Sequence, residues 1–205
     1  VLLIGERLDI RGNETVDVVN RTAPLTLPTP VANASWTHQN GNTGHSLTHP
    51  ALNRSLNQVW AVPIGEGNER KHRITADPVV LNGRIYTIDS RSLVSAHATS
   101  GAAVWSRDLT PANENKDDAS SGGLAISGDT LFVTSGFGFV TALDAATGEQ
   151  RWSQDLDAAP SGAPTVQDGV IYLSTRDAVG WAIDARNGRI LWQVLGSSSE
   201  SGISG

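Results

Sequence analysis

Only a few side chains in this sequence combine a type and a spacing that could support chemistry, and three histidines are the first candidates. His38, His45 and His49 lie in the polar stretch Trp36–Pro50, and neutral imidazoles can bind zinc or copper. No acidic residue lies among them, however, and their spacing matches no standard zinc motif. We therefore interpret them as ordinary loop histidines and expect no metal here.

Carboxylates are the second candidate for chemistry. Asp117 and Asp118 form the only tandem acid pair, and they lie in a polar insertion. Asp89, Asp144 and Asp184 each follow an apolar segment at the start of a turn, where an Asp side chain usually binds backbone amides. Cysteine is absent, which excludes a cysteine nucleophile, a disulfide and a thiolate metal site. These observations favour structural acids and predict no catalytic residue.

The densest cluster of positive charge lies in the loop Gly65–Arg73 and consists of Arg70, Lys71, His72 and Arg73. One interpretation is an ordinary solvated loop. The other is a docking point for an acidic partner surface, because the arginine guanidinium pairs well with carboxylates. The whole chain carries a net charge of −6, so no basic excess exists to neutralise nucleic-acid phosphates, and a general nucleic-acid binder is disfavoured.

Three stretches of the chain repeat one arrangement. Each begins at a turn glycine, contains two apolar segments separated by a polar turn, and ends on a tryptophan after a second glycine: Gly83–Trp105, Gly128–Trp152 and Gly169–Trp192. Their tryptophans are 47 and 40 residues apart, and the polar insertion Thr110–Ser121 accounts for the longer interval. A period near forty residues with strand-like segments is typical of a repeat architecture.

Each repeat divides into four short apolar segments joined by tight turns. Asn82-Gly83 joins the first two, and Asn-Gly between apolar runs is a strong hairpin signal because both residues tolerate positive φ. Four short antiparallel strands per unit predict an all-β propeller built of four-stranded antiparallel blades. The predicted strands are Asp77–Leu81, Arg84–Asp89, Leu93–His97 and Ala102–Asp108; Leu124–Ser127, Thr130–Ser135, Phe139–Asp144 and Glu149–Asp155; and Pro164–Gln167, Val170–Thr175, Gly180–Asp184 and Arg189–Leu195.

The remaining chain divides into an arm and a degenerate unit. Residues 1–34 contain three prolines and little periodicity, which predicts an extended N-terminal arm. Leu56–Ile64 alternates around Trp60 and predicts the last strand of a degenerate first repeat. The predicted propeller therefore covers residues 35–205, with repeats at about 35–65, 76–109, 122–156 and 163–196. About four blades cannot close an ordinary ring, so we expect the sequence to be a fragment.

A turn motif recurs before the tryptophans. The polar side chains can bind backbone amides across the turn, glycine supplies a conformation that other residues resist, and alanine leaves room for an indole from a neighbouring blade. The indole buries a large area and its N–H needs an acceptor. This predicts a structural docking motif that locks sheet to sheet. Its residues are Ala142, Asp144, Thr147, Gly148 and Trp152, then Ala182, Asp184, Gly188 and Trp192, with Gly101 and Trp105 in the first copy.

This motif resembles the tryptophan-docking motif of the quinoprotein-like (PQQ-repeat) propellers, which implies eight blades in an intact protein. The first copy departs from it, with Ser95, His97 and Ser100 in place of Ala, Asp and Thr. One alternative within this family is a fragment of a PQQ-dependent quinoprotein dehydrogenase. Such enzymes need a catalytic Asp, Ca²⁺ ligands and, commonly, a vicinal cysteine pair, and this sequence has no cysteine.

The other alternative resembles the sequence more closely. Gly5–Arg11, Pro30–Trp36, Trp60–Gly67 and Leu131–Gly148 are similar to the alphaproteobacterial branch of the BamB family of outer-membrane assembly lipoproteins. The resemblance implies a non-enzymatic scaffold without a cofactor. It also implies a lipid anchor at the periplasmic face of the outer membrane, and binding to the POTRA domains of the central barrel subunit.

In that family the partner binds loops that enter the inner strands of neighbouring blades. The corresponding loops here are Arg70–Ala76 and Asp157–Ala163. The second carries Ala158-Ala159-Pro160 where enterobacterial members have Leu and Arg, which favours the basic loop as the contact. The partner-binding residues implied by the resemblance are Arg70, Lys71, Arg73, Asp157 and Ser161.

Overall fold

The structure is a computed structural model, and it describes residues 24–47, 49–120 and 122–196. Three four-stranded antiparallel sheets follow one another along the chain, each with its strands in sequence order. The first contains β1 (Val79–Leu81), β2 (Arg84–Ile88), β3 (Leu93–Ala98) and β4 (Ala103–Asp108). The second contains β5 (Gly123–Ser127), β6 (Thr130–Ser135), β7 (Phe139–Asp144) and β8 (Gln150–Asp155). The third contains β9 (Thr165–Gln167), β10 (Val170–Ser174), β11 (Val179–Asp184) and β12 (Ile190–Leu195).

The predicted all-β class with four-stranded antiparallel blades is confirmed. The hairpin turns explain why the strand boundaries follow the sequence signals so closely. Asn82 and Gly83, with φ of 51° and 72°, close the β1–β2 hairpin in the left-handed conformation that Asn and Gly tolerate best. β6 and β7 coincide with their predicted spans, and the register pairs Thr130 with Asp144 at one end and Ser135 with Phe139 at the other.

The predicted strand at Leu56–Ile64 is wrong, because the structure contains no strand there. A strand needs a hydrogen-bonded neighbour, and among the described residues nothing pairs with this segment, so Val59 is 89% exposed. Trp60 nevertheless lies against Gly101 in the first sheet, and its indole N–H donates to the Thr99 carbonyl over 2.9 Å. The segment thus supplies a docked indole without a blade of its own.

The predicted N-terminal arm falls mostly outside the described residues, which begin at residue 24. Residues 24–30 are exposed and contain no strand, and Val31 forms an isolated bridge with Pro50. The boundaries of the arm and of the repeats stay predictions.

The hydrophobic core lies between the sheets. One cluster joins the first two blades and includes Ile88, Val94 and Leu131. A second joins the last two and includes Val140 and Ile171. Each blade therefore buries its faces against its neighbours, as stacked sheets with inward-facing alternate residues do.

A short segment before the first blade crosses the innermost strands of all three. The Trp36 amide and carbonyl pair with those of Val80 in β1 over 2.7 and 2.6 Å. One residue later, the Thr37 carbonyl accepts from the Ile126 amide in β5. His38 then accepts from the amide of Val166 in β9. We call Trp36–His38 the inner strap, because it ties three consecutive inner strands.

Candidate protein-docking face

The topology places all the inter-blade loops on one face. In a four-stranded meander the first strand starts, and the fourth strand ends, on the same side, which also carries the turn between the second and third strands. Residues 65–76, 109–120 and 156–164 therefore lie on one side of the blades. We call this side the loop face. The turns around 144–148 and 184–188 lie on the opposite face.

The basic loop is anchored at its base. The Glu66 amide donates to Asp89 Oδ2 over 2.8 Å, and the Ser90 amide and hydroxyl both donate to the Glu66 carbonyl. Asp89 Oδ1 also accepts from the amides of Arg91 and Leu93 in the β2–β3 turn. Asp89 thus acts as a structural acid in a turn, and it also fixes the start of the basic loop.

The cations of the loop point into solvent. Arg70, Lys71 and Arg73 are exposed, whereas His72 between them is only 7% exposed. The buried imidazole fixes the middle of the cluster, and a turn in which the Glu69 amide donates to the His72 carbonyl shapes its tip. None of the three exposed cations forms an ion pair within the described residues.

Arg91 joins the basic loop to the insertion. Its guanidinium donates to Glu69 Oε2 over 3.1 Å and to Asp117 Oδ1. The Arg91 side chain is only 16% exposed, although both acids are more than half exposed. These two acids raise the pKa of Arg91 above its ordinary value despite the opposing effect of its desolvation. The Ser120 hydroxyl adds a second link by donating to the Lys71 carbonyl over 3.0 Å.

The second predicted partner loop also lies on the loop face. Asp157 and Ser161 are exposed, and Asp157 adopts a φ of 61°. The Ser161 amide donates to the Ser174 carbonyl, and the Arg176 amide donates to the Ala159 carbonyl. No hydrogen bond or ion pair of the described residues joins this loop to the basic loop. The insertion lies between them in the blade order, so the predicted partner residues form two separate groups.

On the opposite face, Asp144 organises the turn of the second blade. Its Oδ1 accepts from the amides of Ala146 and Thr147 and from the Thr147 hydroxyl, and the Glu149 amide donates to Thr147 Oγ1. In the third blade, Asp184 Oδ1 accepts from the Arg186 amide over 2.9 Å.

The tryptophans join consecutive blades through these turns. A Cβ added at Gly148 would lie 2.6 Å from Trp105 Cε3, so only glycine lets the indole lie this close. The Trp105 N–H, the Tyr86 hydroxyl and the Arg84 guanidinium all donate to the Ala145 carbonyl, over 3.1, 3.0 and 3.1 Å. One backbone oxygen therefore receives three donors from the preceding blade.

The role predicted for Ala142, to leave room for an indole of a neighbouring blade, stays a prediction. The register pairs Ala142 with Trp152 of its own blade. Ala182 is likewise paired with Trp192. The small residue beneath the Trp105 indole is Gly148 in the turn, whereas the strand before it contributes Leu143 to the core shared with the preceding blade.

We call each contact between a tryptophan and the turn of the next blade an indole joint. The second indole joint has fewer donors than the first, and within the described residues Trp192 forms none. Trp152 lies against Gly188 and donates to the Ala185 carbonyl over 3.1 Å. Phe132 stands beside it as Tyr86 stands beside Trp105, but it has no hydroxyl to donate. Trp192 is 48% exposed.

The carboxylates of the turns on this face form ion pairs with arginines. Arg151 contacts Asp129 and Asp144, each over 2.8 Å. Its hydrogen bond lowers the pKa of Asp129 to about 2 and also lowers that of Asp144. Arg186 pairs with Asp184 over 2.9 Å and lowers the pKa of that carboxyl to about 2. The described residues contain no group of three or more His, Cys, Asp or Glu side chains placed to hold a metal ion.

The three histidines singled out from the sequence have separate roles. His38 is buried, accepts from the Val166 amide through Nε2 over 3.0 Å, and contacts Thr37 Oγ1 through Nδ1. Burial, with a smaller effect from His45, lowers the pKa of His38 below 6.5. His45 contacts Thr165 Oγ1 over 2.8 Å, and His49 contacts the Pro28 carbonyl.

Arg91 and the donors Arg84 and Tyr86 were missed by sequence reasoning. Each acts on residues distant in sequence, and Arg84 and Tyr86 bind a carbonyl about 60 positions away. No local sequence pattern identifies them, because the position of Tyr86 is aromatic in all three repeats, as Tyr86, Phe132 and Tyr172. No helix among the described residues is long and apolar enough to cross a membrane.

Comparison with known proteins agrees with this architecture. A family model described as outer membrane protein assembly factor BamB matches residues 90–205. An outer membrane protein assembly factor BamB of Moranella endobia is 28% identical over 143 residues, covering 67% of this chain and 37% of the relative. A quinohemoprotein alcohol dehydrogenase, ADH IIB, of Pseudomonas putida is 31% identical over 156 residues, covering 68% of this chain and 22% of the relative.

Solved structures show the same fold. BamB from Moraxella catarrhalis has a TM-score of 0.51 and 20% identity, covering 59% of this chain and 35% of that one. A europium-containing methanol dehydrogenase has a TM-score of 0.64 and 21% identity, covering 79% and 32%. The quinoprotein-like β-propeller fold is thereby confirmed. The chain spans 37% of the length of the Moranella relative. Because the family model matches more than half of its residues, the chain belongs to the outer membrane protein assembly factor BamB family.

Proposed function

We propose that this chain is part of a non-enzymatic scaffold for outer membrane protein assembly and that it docks a partner protein on its loop face. Membership of the BamB family supports the assembly role. The observation that carries the docking role is the exposed cluster of Arg70, Lys71 and Arg73 on a loop whose base is fixed by Asp89. A loop whose backbone is already fixed need not be ordered when its guanidinium groups bind carboxylates, which lowers the entropy cost of docking.

The partner in this proposal is the POTRA region of the central barrel subunit, and the place of action is the periplasmic face of the outer membrane, through a lipid anchor. Asp157 and Ser161 form a second contact on the same face. The engagement of Asp89, Asp144 and Asp184 in turns and ion pairs supports a scaffold, since each carboxylate already has donors within its own turn.

A pull-down with purified POTRA domains tests the proposal. We expect wild-type protein to capture the domains and Arg70→Ala/Arg73→Ala to capture several-fold less, because rim charges contribute about 1 kcal/mol or less each. Arg189→Ala is the matched control, since it removes an exposed arginine of the opposite face. Absence of capture by wild type contradicts the partner, and equal capture by the double variant contradicts the residues.

A fragment of a PQQ-dependent quinoprotein dehydrogenase is the second candidate. The 31% identity to the Pseudomonas putida alcohol dehydrogenase supports it. Titration with pyrroloquinoline quinone and Ca²⁺, followed by an alcohol oxidation assay, distinguishes the two. Quinone-dependent turnover would establish the enzyme and remove the scaffold proposal.

A further inference from the structure

We propose that the basic loop and the insertion form one composite platform for a carboxylate-rich protein segment, and that Arg91 is the residue that positions it and sets its charge. The platform consists of residues 65–73 and 110–120. This inference rests on the proposed docking function and identifies how that site is built.

The contacts show that the two loops are held as one unit. Arg91 lies in the β2–β3 turn between them and binds one acid from each, Glu69 and Asp117. The Ser120 hydroxyl at the end of the insertion also connects the two loops, because it donates to the Lys71 carbonyl of the basic loop. The insertion is rich in polar residues and would otherwise have few contacts to hold it against a neighbouring loop.

The exposed cations of the basic loop explain why its tip selects an acidic partner, while the insertion beside it carries the exposed acids Glu114 and Asp118. Glu69 directly precedes Arg70 in the chain, so a free Glu69 carboxylate could pair with the exposed cations or repel an acidic segment. Arg91 forms an ion pair with that carboxylate and a second one with Asp117. The cations of Arg70, Lys71 and Arg73 remain outward and unpaired within the described residues.

The position of Arg91 favours a fixed bridge over a mobile surface pair. Its side chain is 16% exposed, and the backbone of its turn is held by the Asp89 carboxylate. Surface ion pairs are usually weak because both side chains must be ordered. Here one partner is already ordered by burial, which lowers that cost.

The variant Arg91→Gln tests the inference with two readouts. We expect about fivefold weaker binding to an immobilised poly-glutamate peptide, because the freed Glu69 carboxylate then competes for the exposed cations with about the strength of one surface ion pair. We also expect faster amide hydrogen exchange in residues 66–73 and 114–120, with no change in residues 130–135 of β6. Arg189→Gln, with the same change of charge on the opposite face, should leave both readouts unchanged.

A compensating variant separates a positioning role from simple loss of positive charge. Arg91→Gln/Glu69→Gln/Asp117→Asn removes the freed carboxylates and should restore most of the peptide binding, whereas amide exchange in residues 66–73 and 114–120 should stay as fast as in Arg91→Gln because the bridge is still absent. Unchanged exchange in Arg91→Gln, peptide binding equal to that of wild type, or no rescue in the triple variant would overturn the inference. Failure of wild type to bind POTRA domains, with these results intact, would overturn only the partner named above.

Discussion

At the scale of single residues, glycine and a backbone carbonyl determine how the blades join. Gly148 has a φ of 75° and lies directly against Trp105. Two independent constraints therefore act at one position, because an L side chain resists this conformation and any Cβ would meet the indole. The Ala145 carbonyl beside it accepts three hydrogen bonds.

Gly148→Ala and Gly169→Ala separate the two constraints. Gly169 has a similar φ of 78°, but a Cβ there would meet nothing within 4 Å. We expect Gly148→Ala to lower the free energy of unfolding by about 1–3 kcal/mol more than Gly169→Ala, since only the former overpacks a joint. Denaturant unfolding of both variants measures this, and equal losses would show that the conformation alone requires glycine.

At the scale of elements, the indole joints and the inner strap connect sheets that share no strand ladder. The joints lie on the face opposite the loop face, and the strap crosses the inner strands. The blades are consequently fixed to one another at separate places, which lets the loops vary without moving the blades.

Trp152→Ala and Trp192→Ala measure what a joint contributes. The Trp152 indole packs against Gly188, and its N–H donates to the Ala185 carbonyl. The Trp192 indole, in contrast, is 48% exposed. We expect a loss of about 3 kcal/mol for Trp152→Ala and less than about 1 kcal/mol for Trp192→Ala in chemical unfolding of this chain. Comparable losses would contradict the proposed importance of the joint.

The inner strap should make stability depend on pH. His38 has a folded-state pKa below 6.5, so the unfolded chain binds more protons as pH falls through 6.5. The contribution of His38 to the free energy of unfolding is therefore fully present above pH 6.5, and it is lost as the pH falls toward the folded-state pKa. The folded Asp129 and Asp184 have pKa values of about 2, against an ordinary 3.8, so their effect begins only in more acidic solution.

Urea unfolding at pH 7.5 and pH 5.5 tests the role of the strap. We expect wild type to lose stability between these values and His38→Gln, which keeps an acceptor but cannot be protonated, to lose less. His45→Gln controls for the neighbouring ring, whose centroid lies 6.4 Å from that of His38. Parallel pH profiles for wild type and His38→Gln would rule out His38 as the origin.

At the scale of the whole molecule, net charge and local charge have opposite signs. The chain carries −6 overall, while the basic loop Gly65–Arg73 carries three cations and two acids, a net charge of +1. Long-range repulsion from an acidic partner is screened within about 8 Å at physiological ionic strength. The proposed docking at the basic loop would therefore be a local attraction that the overall charge does not reveal.

The association rate should depend on the charges of the basic loop more than on charges elsewhere in the chain. We expect Arg73→Ala to lower the association rate constant for POTRA domains more than Arg189→Ala does, because a charge near the contact steers encounter more effectively. The difference should shrink as salt is raised. Surface plasmon resonance at several salt concentrations measures it, and equal rates for the two variants would place the contact elsewhere.

The sequence by itself determined the blades. Glycine turns, alternation and a recurring tryptophan specify hairpins locally, since each turn type and each strand pairing depends on neighbours within a few residues. Only the tertiary structure decided the features that depend on distant segments. These are the absence of a strand at Leu56–Ile64, the packing of Trp105 against Gly148, the inner strap, and the ion pairs of Arg91 with two loops. A strand needs a partner, and an ion pair needs both charges in place. Neither condition can be derived from a single segment of chain.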